Sequence, residues 1–198
     1  MNLHNLLYNN LSSAEPDRGR LLISDPMMEE AHFRRSVVMI LDRDADKGHL
    51  GLTLNKSTSI TLGDIIPGWN PGEKIPVFCG GPVDLERLFL LHTLGDIIED
   101  ATEVSPGIFV GGDVERILQY IEDGGETQGR LRFFLGYSGW SQGQLETEIA
   151  RHSWAVAEAG DARGLLSGAE NSYWRRNVKR LGESYRSWLV VPPDPMDN

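Results

Sequence analysis

Short apolar segments, most of them ended by glycine or aspartate, limit this chain to folds built from many short strands. The run Arg20 to Ser24 ends at an Asp-Pro pair, and a β-branched run extends from Ser36 to Leu41. Leucines at every second position from Leu50 to Leu54 have the period of two that is typical of a β-strand. Because only the short segment 42–48 separates the second run from the third, we predict that these two strands form a hairpin.

The same alternation of short apolar segments and turn-forming residues continues through the middle of the chain. It predicts four further strands, at 75–79, 87–92, 108–110 and 131–135. The Gly-Tyr-Ser-Gly-Trp segment at 136–140 is predicted to be a bend that follows the last of them. Turn residues therefore separate short strands over most of the sequence.

Three helices are predicted from apolar periodicity. The clearest starts after Asp113, a good N-cap residue, and has apolar residues at i, i+3, i+4 and i+7 from Val114. A second helix is predicted from about Gln142 to Arg151. A third has apolar residues at i, i+4 and i+7 from Trp174, and Gly182 is placed to end it.

Strands that come before the late helices, with short connections between them, favour an α+β fold: a single domain with a mixed, largely antiparallel β-sheet flanked by helices. A chain of 198 residues is long enough for one unit with a substantial core. We predict an N-terminal extension at 1–18, the single domain at 19–191 and a proline-rich C-terminal tail at 192–198. The sequence shows no internal repeat and no linker between two domains.

The charge balance argues against a nucleic-acid partner. The chain has 19 Lys+Arg against 29 Asp+Glu, a formal net charge of −10, and an acidic protein repels polyphosphates unless a local basic patch prevails. One such stripe exists on the predicted last helix, formed by Arg175, Arg176, Lys179 and Arg180. It lies opposite the apolar face, so we expect a solvated helix face there rather than a nucleic-acid site.

Several features favour the cytoplasm and no membrane association. Cys79 is the single cysteine and is expected to be a core residue, since it follows a buried strand. The sequence begins without a basic segment followed by an apolar stretch and a cleavage site. No apolar run approaches the roughly 18 residues needed to cross a bilayer.

Motifs for metals, cofactors and nucleophilic catalysis do not match. The acidic segment 42–48 starts like a calcium loop, but Lys47 and Thr53 stand where that loop needs glycine and glutamate. The five histidines are scattered without metal-ligand spacing. Ser138 lacks the glycine that a nucleophile elbow requires, since Trp140 occupies that position. Neither a dinucleotide-binding nor a phosphate-loop motif is present, so we expect no metal and no cofactor.

Polar, glycine and aromatic residues at strand ends and bends give a candidate site. Our first hypothesis is a non-enzymatic protein that binds a small molecule or a protein partner in a cleft lined by Asn55, Gly80, Gly81, His92, Trp140, Gln144 and Glu146. In it, Glu146 faces a cleft formed with Trp140. The alternative is a hydrolase or transferase that uses His92 or Glu146 as general base, with the Gly80-Gly81 amides holding an anion. Structural roles for His92 and for the two glycines stay open.

Several segments in a fixed order resemble the YqgE/AlgH family of bacterial proteins. They are Gly19 to Pro26, Phe33 to Val38, Gly51 to Lys56, Gly80 to Val83, Leu135 to Trp140 and Gly143 to Ile149. The resemblance implies a single-domain cytosolic α/β protein with a mixed sheet, and it assigns no biochemical activity. Members are often labelled transcriptional regulators. Because no helix-turn-helix is present and the chain is acidic, we expect any regulatory role to be indirect.

The chain departs from the pattern of that family at three places. Asp42-Arg43 replaces a Glu-His pair, Ser57 replaces a proline, and Ser138 stands where alanine is frequent. The first departure removes a histidine as a catalytic candidate, and the last argues further against Ser138 as a nucleophile.

Overall fold

The computed structural model describes residues 14–44, 46–69, 72 and 74–192. Within this part of the chain the strands are β1 Arg20–Ser24, β2 Val37–Asp44, β3 Gly48–Thr53, β4 Ser57–Thr61, β5 Pro76–Cys79, β6 Val83–His92, β7 Ala101–Ser105, β8 Ile108–Gly111, β9 Leu131–Trp140 and β10 Trp154–Glu158. The helices are α1 Leu62–Ile65, α2 Val114–Glu122, α3 Gln144–Ala150, α4 Ala162–Leu165, α5 Glu170–Arg180 and a final 3-10 helix, Glu183–Val190. Most of the predicted extension and tail lies outside the described residues.

The strands form one sheet in the order β10-β1-β2-β3-β9-β6-β8-β7, and β5 joins it beside β9 with β4 on its other side. Neighbouring strands are antiparallel except β5 and β9, which are parallel. Helices cover the sheet, so the prediction of an α+β domain with a mixed, largely antiparallel sheet is confirmed.

The sheet curls so that β7, at one end of the strand order, contacts the residues just before β1. The Arg18 Nη2 donates a hydrogen bond to the Glu103 carbonyl of β7 at 2.6 Å. Gly19 lies so close to the same strand that a Cβ atom there would sit 2.2 Å from the Val104 carbonyl oxygen. A glycine is therefore required where β7 meets the residues just before β1.

Three apolar clusters hold the helices on the sheet. The largest buries Tyr173, Trp174 and Trp188 from α5 and the 3-10 helix. A second packs α2 against β5, β6 and β9, and a third packs α3 against β2, β9 and β10. Trp174 and Trp188 are completely buried, so the chain after α4 is part of the core rather than an appendage.

The predicted hairpin is confirmed, but its strands are longer than the apolar pattern indicates. β2 continues to Asp44 and β3 starts at Gly48, so most of the segment 42–48 pairs within the sheet. The Asp44 carboxylate closes the turn by accepting the backbone N–H groups of Asp46 and Lys47 at 2.9 and 3.1 Å. These hydrogen bonds lower the pKa of Asp44.

The prediction of a bend at 136–140 is wrong, because β9 continues through this segment to Trp140. Gly136 adopts a left-handed conformation, φ +71°, which lets the strand change partner without ending. Before this residue β9 pairs with β6 and with β5, and from Ser138 to Trp140 it pairs with β3. The glycine thus marks a kink within one strand.

Candidate functional site

A cavity opens where β8 separates from β6. These strands pair only at Leu91 with Val110 and at His92 with Phe109. Beyond Val110 the chain turns through Gly111 and Gly112 into α2, and the edge of β6 from Arg87 to Leu90 faces a cleft of about 510 Å³. We refer to it as the β6-α2 cleft, and its volume lies in the range of small-molecule sites.

Apolar side chains from six elements form most of its wall. They are Leu41 and Leu50 from the hairpin, Leu88, Phe89 and Leu90 from β6, Val110 from β8, Val114, Ile117 and Leu118 from α2, and Phe133 from β9, with Ile66 beside them. The polar side chains are few: Arg18, Asp42, Arg87 and Thr102. An apolar wall with a few polar groups is typical of a ligand site.

Two guanidinium groups supply positive charge at this cleft. The Arg87 group lies 4.9 Å from the centre of the Phe89 ring and forms no ion pair with any described residue. Arg18 is exposed and bonds to the Glu103 carbonyl, which carries no net charge. Arg87 is therefore free to bind an anionic group of a ligand whose apolar part occupies the interior.

His92 supports the cleft from behind and does not line it. Its Nδ1 accepts the Leu94 N–H at 3.1 Å, so the other nitrogen, Nε2, carries the proton and donates to the Gly111 carbonyl at 3.1 Å. The ring stacks on Phe109, with 5.7 Å between ring centres. Burial lowers the pKa of His92 in spite of the Gly111 bond. This neutral imidazole holds Gly111, which lines the cleft, and both of its ring nitrogens are used in hydrogen bonds to the backbone.

The sequence prediction for α2 is confirmed, and this helix orients part of the wall. Asp113 caps it by accepting the backbone N–H groups of Glu115 and Arg116 at 2.9 and 3.2 Å. Ile117 faces the core, whereas Val114 at the mouth remains 59% exposed. The cap therefore sets the angle at which an apolar, accessible side chain borders the cleft.

Three of the seven predicted site residues lie close together at the other end of β9. The indole N–H groups of Trp140 and Trp154 both donate to Glu148, at 2.9 and 2.8 Å. Gln144 donates to the same carboxylate at 2.9 Å. Glu146, the predicted partner of Trp140, instead lies with its Oε1 3.7 Å from the Nε2 of His49.

Asn55, Gly80 and Gly81 fill structural positions. The buried Asn55 side chain accepts the Val37 N–H and donates to the carbonyls of Arg35 and Glu170. The Gly80 N–H donates to the Leu135 carbonyl at 2.8 Å, so this amide is not free to hold an anion. A Cβ atom at Gly81 would lie 2.2 Å from the Tyr137 carbonyl carbon, which explains the glycine by close strand packing.

The fold separates His92 from the group around Trp140. His92 pairs with Leu131 at the start of β9, and Trp140 ends that strand opposite His49. Nine residues of strand at about 3.3 Å each separate the two sites by at most about 30 Å, and the kink at Gly136 shortens this distance. Of the four cavities described here, only one is lined by any of the seven residues, namely by Trp140.

The residues that do line the β6-α2 cleft were not singled out by sequence reasoning. Leu88, Phe89, Ile117 and Leu118 have the apolar pattern of core residues, and nothing in that pattern shows that a cavity lies between them. The Gly111-Gly112 pair, with φ values of +76° and +100°, is the one local signal of an unusual wall.

The predicted solvated stripe on α5 is only partly solvated. Arg175 donates to the Leu189 carbonyl, Arg176 to those of Gly164 and Ser167, and Arg180 to that of Ala159. These arginines connect neighbouring loops and the 3-10 helix to α5, because a long arginine side chain can donate hydrogen bonds to backbone carbonyls that lack a partner in a helix or strand. Arg176, Lys179 and Arg180 are exposed, as the prediction requires, whereas Arg175 is only half-exposed.

In the part of the chain that the structure covers, none of the helices combines the length and the apolar character needed to cross a bilayer. The described residues also contain no cluster of three histidine, cysteine, aspartate or glutamate side chains that could hold a metal ion.

Fold and site together define an α+β domain with a curled sheet and an apolar cleft at its edge. A family model described as AlgH-like matches residues 21–186, so the chain belongs to the AlgH-like family. A UPF0301 protein of Parabacteroides distasonis is 39% identical over 184 residues, 92% of each chain. One of Bacteroides thetaiotaomicron is 39% identical over 183 residues, again 92% of each chain.

Two solved structures have the same fold. The crystal structure of a Corynebacterium diphtheriae protein superposes with a TM-score of 0.74 at 22% identity, covering 93% of this chain and 96% of that one. The solution structure of AlgH from Pseudomonas aeruginosa gives a TM-score of 0.68 at 23% identity, with 93% and 99% covered. At these identities the likeness concerns the fold alone.

Proposed function

We propose that this protein binds a small, largely apolar molecule with one anionic group in the β6-α2 cleft. The observation that carries the proposal is a cleft of about 510 Å³ with apolar walls and a guanidinium group, Arg87, that forms no ion pair with a described residue. The apolar body would displace water from leucine and phenylalanine side chains, and Arg87 would pair with the anionic group.

The side chains of the cleft support binding rather than catalysis. The described lining contains no histidine, cysteine or serine side chain, and Asp42 is its one carboxylate. The enzyme alternative relied on His92 or Glu146 with the Gly80-Gly81 amides. His92 uses both nitrogens in structural hydrogen bonds, and the Gly80 amide is paired within the sheet. A positioned acid-base pair is therefore missing from the residues that surround this cavity.

A regulatory role is also part of the proposal, as an indirect one. A solved protein of the same fold carries the name AlgH, and the YqgE/AlgH resemblance associates such proteins with regulation. We infer that ligand binding in the cytoplasm alters contact with a protein partner. Nucleic acid is not the proposed partner, because the net charge is −10 and three arginines of the α5 stripe donate to backbone carbonyls.

A fluorescence titration with 8-anilinonaphthalene-1-sulfonate, an apolar molecule with one anionic group, tests the cleft. Wild-type protein should bind it saturably, and Val114→Glu should weaken binding at least fivefold by placing a carboxylate at the mouth. Glutamate suits the first turn of a helix, so α2 should remain folded. The matched control is Val190→Glu, since Val190 is 71% exposed and lies outside the cleft.

Circular dichroism of both variants should match that of the wild type, which excludes dye binding to an unfolded state. The proposal is wrong if folded wild-type protein shows no saturable binding. It is equally wrong if Val114→Glu and Val190→Glu bind the dye as the wild type does.

A further inference from the structure

A second cleft, of about 390 Å³, lies on another part of the molecule and shares no lining residue with the first. It is bordered by the start of β5, by the turn before β9 at 127–129 and by the loop 166–169 between α4 and α5. Ile75, Pro76 and Phe78 form an apolar side. We refer to it as the Arg132 cleft, after the buried cation in its wall.

Arg132 is only 6% exposed, yet every acceptor that it contacts is uncharged. Its Nη1 donates to the Leu54 carbonyl at 2.7 Å, and its Nη2 donates to the carbonyls of Leu166 and Gly168 at 2.8 and 2.9 Å. The guanidinium also lies 4.2 Å from the centre of the Phe78 ring. No described carboxylate forms an ion pair with it, although buried charges are normally paired.

A second guanidinium increases the positive charge at this place. Arg176 lies 4.6 Å from the centre of the Tyr173 ring, and Arg132 lies 6.0 Å from the same centre. Burial and the nearby Arg176 charge lower the pKa of Arg132 to about 10, which leaves it protonated at neutral pH. Two cations therefore share one aromatic ring.

The acidic side chains closest in sequence to the cleft are engaged elsewhere. Glu126 forms an ion pair with Arg163 at 2.9 Å, and Glu170 accepts the Ser57 N–H at 2.9 Å. Of the five N–H groups of Arg132, three are used by the carbonyls named above. The other two donate to no described residue, so the guanidinium retains donors for an oxyanion.

We propose that the Arg132 cleft binds a small molecule with an oxyanion group, a carboxylate or a phosphate. The oxyanion pairs with Arg132, and the rest of the ligand lies against Ile75, Pro76 and Phe78. A bound anion would supply the negative charge that no described carboxylate provides to Arg132. Charge-assisted hydrogen bonds to arginine are among the stronger polar contacts in proteins. A purely structural Arg132, which only fastens the loop 166–168, would bind neither kind of anion.

The experiment is an NMR titration of the full ¹⁵N-labelled chain with inorganic phosphate and, separately, with benzoate. Sodium chloride at equal ionic strength corrects for general salt effects. We expect saturable shifts of the Gly129 and Gly168 amides and of the Arg132 Nε–H with at least one probe. Saturation by benzoate alone identifies a carboxylate ligand, and saturation by phosphate alone identifies a phosphorylated one.

A charge variant at the rim tests the position of the site without disturbing Arg132. Gln128 is exposed and lines the cleft, so Gln128→Glu should weaken binding at least tenfold by competing for the guanidinium. Gln119→Glu makes the same change on an exposed position of α2 and should leave binding within twofold of the wild type. Absence of saturable shifts with both probes overturns the proposal, as does unchanged affinity in Gln128→Glu.

Discussion

Two buried histidines show how differently one residue type can be used in this fold. Both ring nitrogens of His92 are hydrogen bonded, to the Leu94 N–H and to the Gly111 carbonyl. His49 is also buried, but neither of its ring nitrogens bonds to a described residue, and the nearest carboxylate oxygen, on Glu146, is 3.7 Å away. Because leaving a buried polar group unpaired costs free energy, the two rings contribute to stability with opposite sign.

Replacing each histidine by leucine should therefore have opposite effects. His92→Leu leaves the Leu94 N–H and the Gly111 carbonyl unpaired and should lower the free energy of unfolding by about 2–4 kcal/mol. His49→Leu removes two unpaired nitrogens from the core and should leave that free energy unchanged or raise it by up to about 1 kcal/mol. Urea unfolding at pH 7.5 measures both. Equal losses in the two variants would contradict the difference in pairing described above.

At the scale of elements, one carboxylate fastens α3 to the sheet. Glu148 accepts hydrogen bonds from Trp140 of β9, from Trp154 of β10 and from Gln144 of its own helix. Both indoles are almost fully buried, and Trp140 stacks on Phe33 whereas Trp154 meets the same ring edge to face. The helix is therefore positioned by polar bonds as well as by its apolar face.

Removing this carboxylate should loosen α3. Glu148→Ala leaves two buried indole N–H groups unpaired and should lower the free energy of unfolding by about 2–3 kcal/mol, with a shift in tryptophan emission. Glu146→Ala on the exposed side of the same helix is the control and should change it by less than about 0.5 kcal/mol. Urea unfolding followed by fluorescence compares the two, and a similar loss in both would show that Glu148 has no special role.

The elements that sequence could predict were those whose signal is local. The Asp113 cap and the apolar spacing of α2 lie within about two helical turns, and both are confirmed. β4, β7 and β10 were not predicted. The residues of β4 and β7 are mostly polar, and such strands form through pairing with partners elsewhere in the sheet. β9 was predicted to end at Gly136 because a single glycine cannot show whether a strand stops or changes partner.

At the scale of the whole molecule, both clefts arise from contacts that no local pattern contains. The β6-α2 cleft depends on the short β6-β8 pairing and on the curl of the sheet, which brings Arg18 from the start of β1 to the same cavity as Ile117. The Arg132 cleft depends on loops more than thirty residues apart that converge on one side chain. Sequence reasoning selects His92 and Trp140 instead, and both side chains form hydrogen bonds within the fold.

The free energy of unfolding is a property of the whole molecule. Below neutral pH, we expect its pH dependence to come mainly from His92. Burial lowers the pKa of His92 from the ordinary 6.5, so the unfolded chain binds a proton more readily than the folded one. The free energy of unfolding should fall as pH drops below 6.5, by at most about 1.4 kcal/mol per pH unit, and level off below the folded-state pKa.

Carboxylates act in a different pH window. Hydrogen bonds lower the pKa of Asp44 and Asp64 below 3.8, so their contribution is present above that value and is lost only in stronger acid. Urea unfolding at pH 7.5, 6.5 and 5.5 should therefore show that the free energy of unfolding of the wild type falls with decreasing pH. The same free energy should fall less steeply in His92→Leu. If the variant declines as steeply as the wild type, another group controls stability in this range, because leucine cannot take up the proton.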